Sequence, residues 1–121
     1  MTKIVIQDQN YYTLGYIDDE EVQDSSYYRI GYLKPNEIQN ADFYRIGYIK
    51  GDYIQNKDYS VVANFRYDQI TDSSYSTIAY IKDDRILDSS YSVLCYIKNG
   101  PLSRIQIAAV LYFFLELIEL G

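Results

Sequence analysis

The side chains that could do chemistry in this 121-residue chain include 16 tyrosines and one cysteine, but no histidine. The commonest general base is therefore absent, and Ser-His-Asp or Cys-His nucleophilic catalysis is excluded. The glycines form neither a GxGxxG motif nor a phosphate-binding loop. The sequence predicts a protein that is not an enzyme and that holds no cofactor.

Aspartates recur in the phrases "DSSYYRIGY" at 24–32, "DSSYSTIAY" at 72–80 and "DSSYSVLCY" at 88–96. Such a pattern suggests calcium, but Ca²⁺ takes roughly six to eight oxygen ligands, often from several neighbouring carboxylates. An Asp side chain can instead accept a hydrogen bond from the backbone two residues on, which fixes a turn. We therefore predict turn-forming acids and no metal site.

The tyrosines are the best candidates for contacting a ligand, because aromatic rings can hold sugars or quaternary ammonium groups. Five of them recur at a fixed spacing, and an asparagine stands where the sixth would be. The candidate ligand-binding residues are Tyr16, Tyr32, Tyr48, Asn64, Tyr80 and Tyr96. The competing interpretation is that the rings pack in the fold with their hydroxyls at the surface. Asn64 is then sequence drift rather than the mark of a site.

The spacing comes from a 16-residue repeat. Six units follow one another without insertion or deletion, at 5–20, 21–36, 37–52, 53–68, 69–84 and 85–100. Numbering each unit from position 1 to position 16, position 4 is Asp or Asn and position 7 is aromatic. Position 11 is Gly, Ala or Cys, and position 12 is the tyrosine or Asn64. Cys95 stands at position 11, so we expect a packed small residue rather than a nucleophile.

Each unit predicts two short strands and two turns. Positions 8 to 13, such as "YRIGYL" at 28–33, are rich in aromatic and aliphatic residues and predict the longer strand. Turn residues such as "KPN" at 34–36 follow, and a shorter strand such as "RILD" at 85–88 comes next. Six units therefore predict about twelve strands.

The two faces of the longer strand suggest how these strands assemble. Strict alternation places positions 8, 10 and 12 on one face and positions 9, 11 and 13 on the other. Both faces are largely apolar, which favours hairpins packed side by side like petals, with a continuous barrel as the alternative. The small residue at position 11 predicts six strands that pack closely against one shared object.

The tail "LSRIQIAAVLYFFLELIEL", at 102–120, breaks the period and supplies that object. Ser103 and Gln106 have the spacing of a capping box, so we expect a helix over 104–120, about 25 Å long. Its residues are apolar on nearly every side, which indicates burial in the ring rather than a membrane span. Glu116 and Glu119 share one helical face and indicate the wet mouth of a buried site.

The unit "DSSYYRIGYLK", repeated in tandem and followed by a tail with "AAV" and "FF", resembles the bacterial β-flower proteins over 5–120. Members of that family are usually described as five-fold rings of β-hairpins, whereas this chain has six units. The fourth unit departs further, because it carries Asn64 and lacks the Ser-Ser step. The resemblance implies no known activity.

The predicted fold is mainly β: a closed ring or barrel of about six two-stranded 16-residue repeats around one C-terminal hydrophobic α-helix. We expect a single domain over 1–121, with the repeats at 5–100 and the packed helix at 101–121. The single cysteine and an N-terminus unlike a signal peptide predict a cytoplasmic protein.

A net charge of −6 without a basic block argues against binding to nucleic acid or anionic lipid. We expect no integral membrane insertion, and a protein partner or homo-oligomer stays open. The predicted function is a non-catalytic structural or interaction module. Two alternatives remain: sugar or cation binding through the tyrosines, and peripheral membrane or partner attachment through the C-terminal helix.

Overall fold

The computed structural model describes residues 3–120, and the outermost residues of the predicted domain, 1–2 and 121, lie outside the described part. Within it, each repeat unit contributes a short strand and a longer strand. The twelve strands are β1 Ile4–Asp8, β2 Thr13–Asp18, β3 Glu21–Asp24, β4 Arg29–Lys34, β5 Glu37–Asn40, β6 Arg45–Lys50, β7 Tyr53–Asn56, β8 Val61–Arg66, β9 Gln69–Asp72, β10 Thr77–Lys82, β11 Arg85–Leu87 and β12 Val93–Lys98.

The strands form one closed antiparallel barrel. Each strand pairs with its neighbours in sequence, and β1 pairs with β12 to close the ring, with Val5 opposite Lys98. The prediction of a mainly β closed ring or barrel is confirmed. The preference for separate petals is wrong, because hydrogen bonds run continuously around the wall. The second apolar face instead carries an aromatic layer on the outside of the barrel.

A β-bulge recurs where each short strand meets the longer strand that follows it. In unit two, Val22 lies opposite Gly31 but Gln23 lies opposite Arg29, so Ile30 is an extra residue. The same register shift occurs in the other five units. A bulge interrupts strict alternation. Arg29 therefore shares the outer face with Tyr32, and the predicted grouping of position 9 with positions 11 and 13 is wrong.

Turns at the two ends of the barrel differ. At one end, called the base, a two-residue turn at positions 15 and 16 joins the longer strand to the next short strand, as between Asp18 and Glu21. At the other end, called the rim, a longer turn at positions 4 to 8 joins the short strand to the longer one within a unit. The rim therefore carries the Asp-Ser-Ser-Tyr phrases.

The tail enters the barrel from the base. Helix α1, Arg104–Ala109, begins with the predicted capping box: the Ser103 hydroxyl accepts from the Gln106 backbone N–H, and Gln106 Oε1 accepts from the Ser103 N–H at 2.9 Å. Arg104 also contacts a base turn, through a 2.6 Å ion pair with Asp52. These contacts fix where the tail starts.

The helix is shorter than predicted. After α1 the chain widens into π-helical turns over Val110–Phe114, and Glu116 adopts a positive φ of 54°. The Leu117 N–H then donates to the Leu111 carbonyl at 2.9 Å, which reverses the chain. A six-residue strand spans only about 20 Å, so a 17-residue helix of about 25 Å is longer than the wall around it. The last residues therefore fold back at the rim, where Leu120 accepts from the Lys57 N–H.

The core lies between the wall and the tail. Positions 2, 11 and 13 point inward, and all six position-2 residues are almost fully buried: Ile6, Val22, Ile38, Ile54, Ile70 and Ile86. From the tail, Ala108, Ala109, Val110 and Leu111 have no exposed surface. The shared object predicted from position 11 is therefore the tail itself.

Candidate ligand-binding surface

The outer wall carries an aromatic layer built by the repeat. In five places a position-12 tyrosine stacks on the position-7 aromatic eleven residues later around the ring, with centroids 4.1–4.6 Å apart. The pairs are Tyr16–Tyr27, Tyr32–Phe43, Tyr48–Tyr59, Tyr80–Tyr91 and Tyr96–Tyr11. The position-12 residues thus line the outside of the barrel rather than a central ring.

Each rim turn is fixed by its Asp or Asn at position 4. In unit two, Asp24 Oδ1 accepts from the N–H groups of Ser26 at 2.8 Å and Tyr28 at 3.0 Å. The same two bonds are made by Asp8, Asn40, Asn56, Asp72 and Asp88. The turn-forming role predicted for these residues is confirmed. Asn makes the same two bonds as Asp, because the turn needs only an acceptor oxygen at this place.

The aromatic residue at position 7 sits in an unusual backbone conformation. All six of these residues have φ between 67° and 70°, the left-handed region that bulky side chains rarely occupy: Tyr11, Tyr27, Phe43, Tyr59, Tyr75 and Tyr91. Their side chains remain 58–67% exposed. Backbone strain therefore recurs around the rim with large aromatic side chains at the surface. Such strain clusters at functional sites in proteins.

Hydrogen bonds join some stacked rings at their outer ends. The hydroxyls of Tyr16 and Tyr27 lie 3.1 Å apart, and so do those of Tyr48 and Tyr59. The bond to Tyr27 raises the pKa of Tyr16 above its usual value, because it stabilises the neutral phenol. Stacking and the bond between hydroxyls together hold the rings of these two pairs in place as amphipathic contacts.

Cations from the chain already lie over three of the candidate tyrosines. The Arg29 guanidinium is 4.9 Å from the Tyr32 ring centre, and Arg45 is 4.9 Å from that of Tyr48. Lys3 lies 5.5 Å from the Tyr16 ring centre. An external cation would have to displace these groups, so the predicted cation-binding use of the tyrosines competes with internal contacts.

A second exposed aromatic residue follows position 7 in only half of the units. Position 8 is tyrosine in units one to three, at Tyr12, Tyr28 and Tyr44, and all three side chains are at least 70% exposed. In units four to six the same position is serine, at Ser60, Ser76 and Ser92. The rim therefore has one Tyr-rich side. This side was not predicted, although the change from tyrosine to serine at position 8 can be read from the repeat.

Unit four interrupts the aromatic layer. Asn64 occupies position 12 on the outer wall, is almost completely buried, and donates from Nδ2 to the Asp72 carbonyl at 3.1 Å. Directly opposite it in register is Thr71, also buried. Within the described residues, Asn64 Oδ1 and Thr71 Oγ1 have no hydrogen-bond partner. The sequence singled out Asn64 as a break in symmetry but gave no indication of Thr71.

An open cleft of about 1270 Å³ lies at the rim between the tail and the turns of units three to five. Its floor is apolar and includes Ile46, Val62 and Tyr112, while Glu116 and Glu119 stand exposed at its edge. The two acids therefore lie at the edge of an open cleft, and not at the mouth of a buried site as the sequence predicts. They do so on the irregular segment that follows the helix and not on a helical face.

Cys95 is fully buried at position 11, and burial raises the pKa of its thiol to about 12. A neutral, enclosed thiol is a poor nucleophile, which fits the packing role expected for it. In the part of the chain that the structure describes, His, Cys, Asp and Glu side chains form no cluster of three that could hold a metal ion.

A family model described as a 5-fold beta-flower protein matches residues 37–112, more than half of the chain. The chain belongs to the beta-flower family. The match begins at the first residue of unit three and ends at residue 112, so it covers repeat units three to six and the first part of the tail. No curated protein and no solved structure matches the chain.

The beta-flower family indicates a small structural module, and it is not known for enzymatic activity. The family description names five-fold symmetry, whereas this beta-flower closes with six units and twelve strands. Among the helices of residues 3–120, none has the length and apolar character needed to cross a membrane.

Proposed function

We propose that this beta-flower protein is a non-catalytic interaction module that binds a protein partner through the rim of units one to three. One observation carries the proposal: the exposed tyrosine pairs at positions 7 and 8, Tyr11–Tyr12 and Tyr27–Tyr28, with the Phe43–Tyr44 pair beside them. Tyrosine supplies large contact area at a low cost in conformational entropy, and it is enriched in protein interfaces.

The composition of the rim supports a protein partner. Its turns combine tyrosine, serine, aspartate and asparagine, a mixture typical of antibody binding loops, where rigid aromatic anchors alternate with adaptable hydroxyl groups. The turns are held by two side-chain hydrogen bonds each, so little ordering remains to be done on binding. The net charge of −6 favours a partner surface that is not acidic.

Attachment through the C-terminal helix has less support. Its most apolar residues, including Val110 and Leu111, are buried inside the barrel. If the tail left the barrel to bind a membrane or a partner, the core would lose these buried side chains.

A comparison of matched tyrosine variants tests the rim proposal. Replacing Tyr12, Tyr28 and Tyr44 together by serine copies units four to six, so the variant should keep the melting temperature of the parent. Tyr67, 99% exposed in a base turn, provides the control substitution Tyr67→Ser. We expect a partner isolated with the parent protein to bind it in purified form, to bind Tyr67→Ser equally, and to bind the triple variant at least tenfold more weakly. Equal binding to the triple variant would refute the proposal.

A further inference from the structure

Lysines near the base of the outer wall lie beside an acid of the preceding unit. A backbone bond brings position 16 of one unit next to position 14 of the following unit, because the Leu33 N–H donates to the Glu20 carbonyl at 2.7 Å. The adjacent Lys34 Nζ lies 3.0 Å from a carboxylate oxygen of Glu20. Lys82 is paired in the same way with Asp68, at 2.8 Å. The repeat can therefore place a carboxylate directly beside the position-14 lysine.

In unit three an amide replaces that carboxylate. The same backbone bond runs from the Ile49 N–H to the Asn36 carbonyl at 2.9 Å, so a neutral side chain stands beside Lys50. The residue opposite Lys50 in register is Tyr53, and the nearby Asp52 is paired with the tail. None of the ion pairs within residues 3–120 includes Lys50. Lys50 is thus beside a residue that cannot neutralise its charge.

Lys50 and Asn36 border a groove of about 370 Å³ on the outer wall. This volume falls in the range of roughly 300–1,000 Å³ that is typical of small-molecule sites. One side of the groove is the stacked Tyr48–Tyr59 pair, in which the Tyr59 side chain is 58% exposed. Lys50 is the one charged residue among the described residues that line the groove, which are Asn36, Tyr48, Ile49, Lys50, Gln55 and Tyr59.

Gln55 lacks the glutamate partner that its counterparts in units two and three have. In those units the position-3 glutamine donates to a glutamate at position 1, as Gln39 does to Glu37 at 2.6 Å. Position 1 of unit four is Tyr53, so that acceptor is replaced by an aromatic side chain. The groove therefore combines one cation, two side-chain amides and an aromatic wall.

We propose that this groove binds a small aromatic carboxylate. The ligand carboxylate takes the place that Glu20 and Asp68 fill beside their lysines, and it accepts from Lys50 Nζ and from the side-chain amide of Asn36. The ligand ring packs against the exposed part of the Tyr48–Tyr59 pair. The site is separate from the Tyr-rich rim of units one to three, and it does not rest on the partner proposed there.

Both parts of the ligand are required by the surroundings. The groove is open to water, and an exposed ion pair alone contributes little affinity because solvent and salt screen it. Contact between aromatic rings adds affinity beyond the area that it buries. The carboxylate in turn selects the ligand over a neutral ring. That the position beside a position-14 lysine favours a carboxylate is seen in unit five, where the hydrogen bond between Lys82 and Asp68 lowers the pKa of the acid and raises the pKa of the lysine.

The test compares phenylacetate with phenylacetamide, which lacks the charge, and with acetate, which lacks the ring. Each is titrated into the intact protein at low ionic strength, by calorimetry and by NMR chemical shifts. We expect saturable one-site binding of phenylacetate, at least threefold tighter than binding of either analogue. The shift changes should centre on Lys50 and Tyr59. The proposal is overturned if phenylacetate does not saturate, if either analogue binds as tightly, or if the changes lie at the rim cleft instead.

Two variants and a matched control test the role of the unpaired lysine. Asn36→Asp supplies the acid from within the chain, and Lys50→Gln removes the cation; each should weaken phenylacetate binding at least threefold. The control Lys34→Gln lowers the net charge by the same amount, but it removes a lysine that is already paired, so it should bind like the parent. All three side chains are exposed, and we expect unchanged melting temperatures. Equal binding by folded Asn36→Asp and the parent overturns the proposal, and so does equal binding by folded Lys50→Gln.

Discussion

Units one to three and units four to six build the same wall but face different parts of the molecule. At position 11 the first three units have glycine and the last three have Ala63, Ala79 and Cys95. A Cβ added at Gly15 would overlap the Phe114 ring, and one at Gly31 would overlap the Phe113 ring. Helix α1 also packs against β4 and β5, which belong to units two and three.

This difference shows that the units of the wall must differ where they contact the tail, called the plug below, because the tail does not repeat. A single tail cannot present the same side chain to six identical strands. Phe114 and Phe113 pack against units one and two, where glycine leaves room for their rings. In units four to six, the methyl and thiol groups of position 11 fill that space instead. The outer surface is divided in the same way, because tyrosine at position 8 occurs only in the glycine half.

Removing the plug should have the largest effect on stability, because both halves of the wall then lose the segment that fills the barrel. A chain that ends at Gly100 loses the buried segment around Val110 and Leu111. Each buried large aliphatic or aromatic side chain stabilises a fold by about 1.5–3 kcal/mol, and a whole domain is stable by only about 5–15 kcal/mol. We expect circular dichroism to show no cooperative melting. The control Glu119→Ala, an exposed side chain at the edge of the cleft, should melt like the parent. A sharp transition in the shortened chain would instead show that the barrel wall folds without the plug.

Glycine substitutions should distinguish strands within the first half. A Cβ at Gly15 would overlap the Gln23 backbone oxygen as well as the Phe114 ring, and a Cβ at Gly31 would overlap the Phe113 ring. Gly15→Ala and Gly31→Ala should therefore each lower the free energy of unfolding by about 1–3 kcal/mol. Gly47→Ala should cost less, since its Cβ would lie 3.0 Å from the end of the flexible Leu120 side chain. Urea denaturation measures all three.

A companion substitution checks the reason for these costs. Shortening Phe113 to Leu in the Gly31→Ala background should recover part of the lost stability, because the two changes share one contact. Strict additivity of the two effects would contradict the packing explanation.

The smallest effect is expected where the halves are alike. Asp24→Ala and Asp88→Ala each remove an acceptor of two backbone N–H bonds in a rim turn. Each should cost about 0.5–2 kcal/mol, as the loss of a helix cap does, and the two costs should agree closely. Asp58→Ala, an exposed side chain in the same kind of turn, is the control. Clearly unequal losses in thermal melts would mean that the halves differ in their turns as well as in their cores.

Much of this architecture could be predicted from local pattern. The repeat, the turn-forming role of position 4, the close packing at position 11 and the capping box at Ser103 all depend on neighbouring residues or on a fixed period. The β-bulge at position 10 could not be predicted, since Ile30 resembles any strand residue. The bulge brings Arg29 beside Tyr32 only because the strands pair in that register.

The sequence by itself determined the number of units, the position of the strands and turns, and the burial of the tail, because each follows from periodicity and hydrophobicity. The tertiary structure alone decided that the strands form one continuous barrel rather than separate petals and that the tail reverses at Glu116. It also decided that Asn64 lies opposite Thr71. These features depend on contacts between residues distant in the chain, and on how much length and volume the closed wall leaves for its plug.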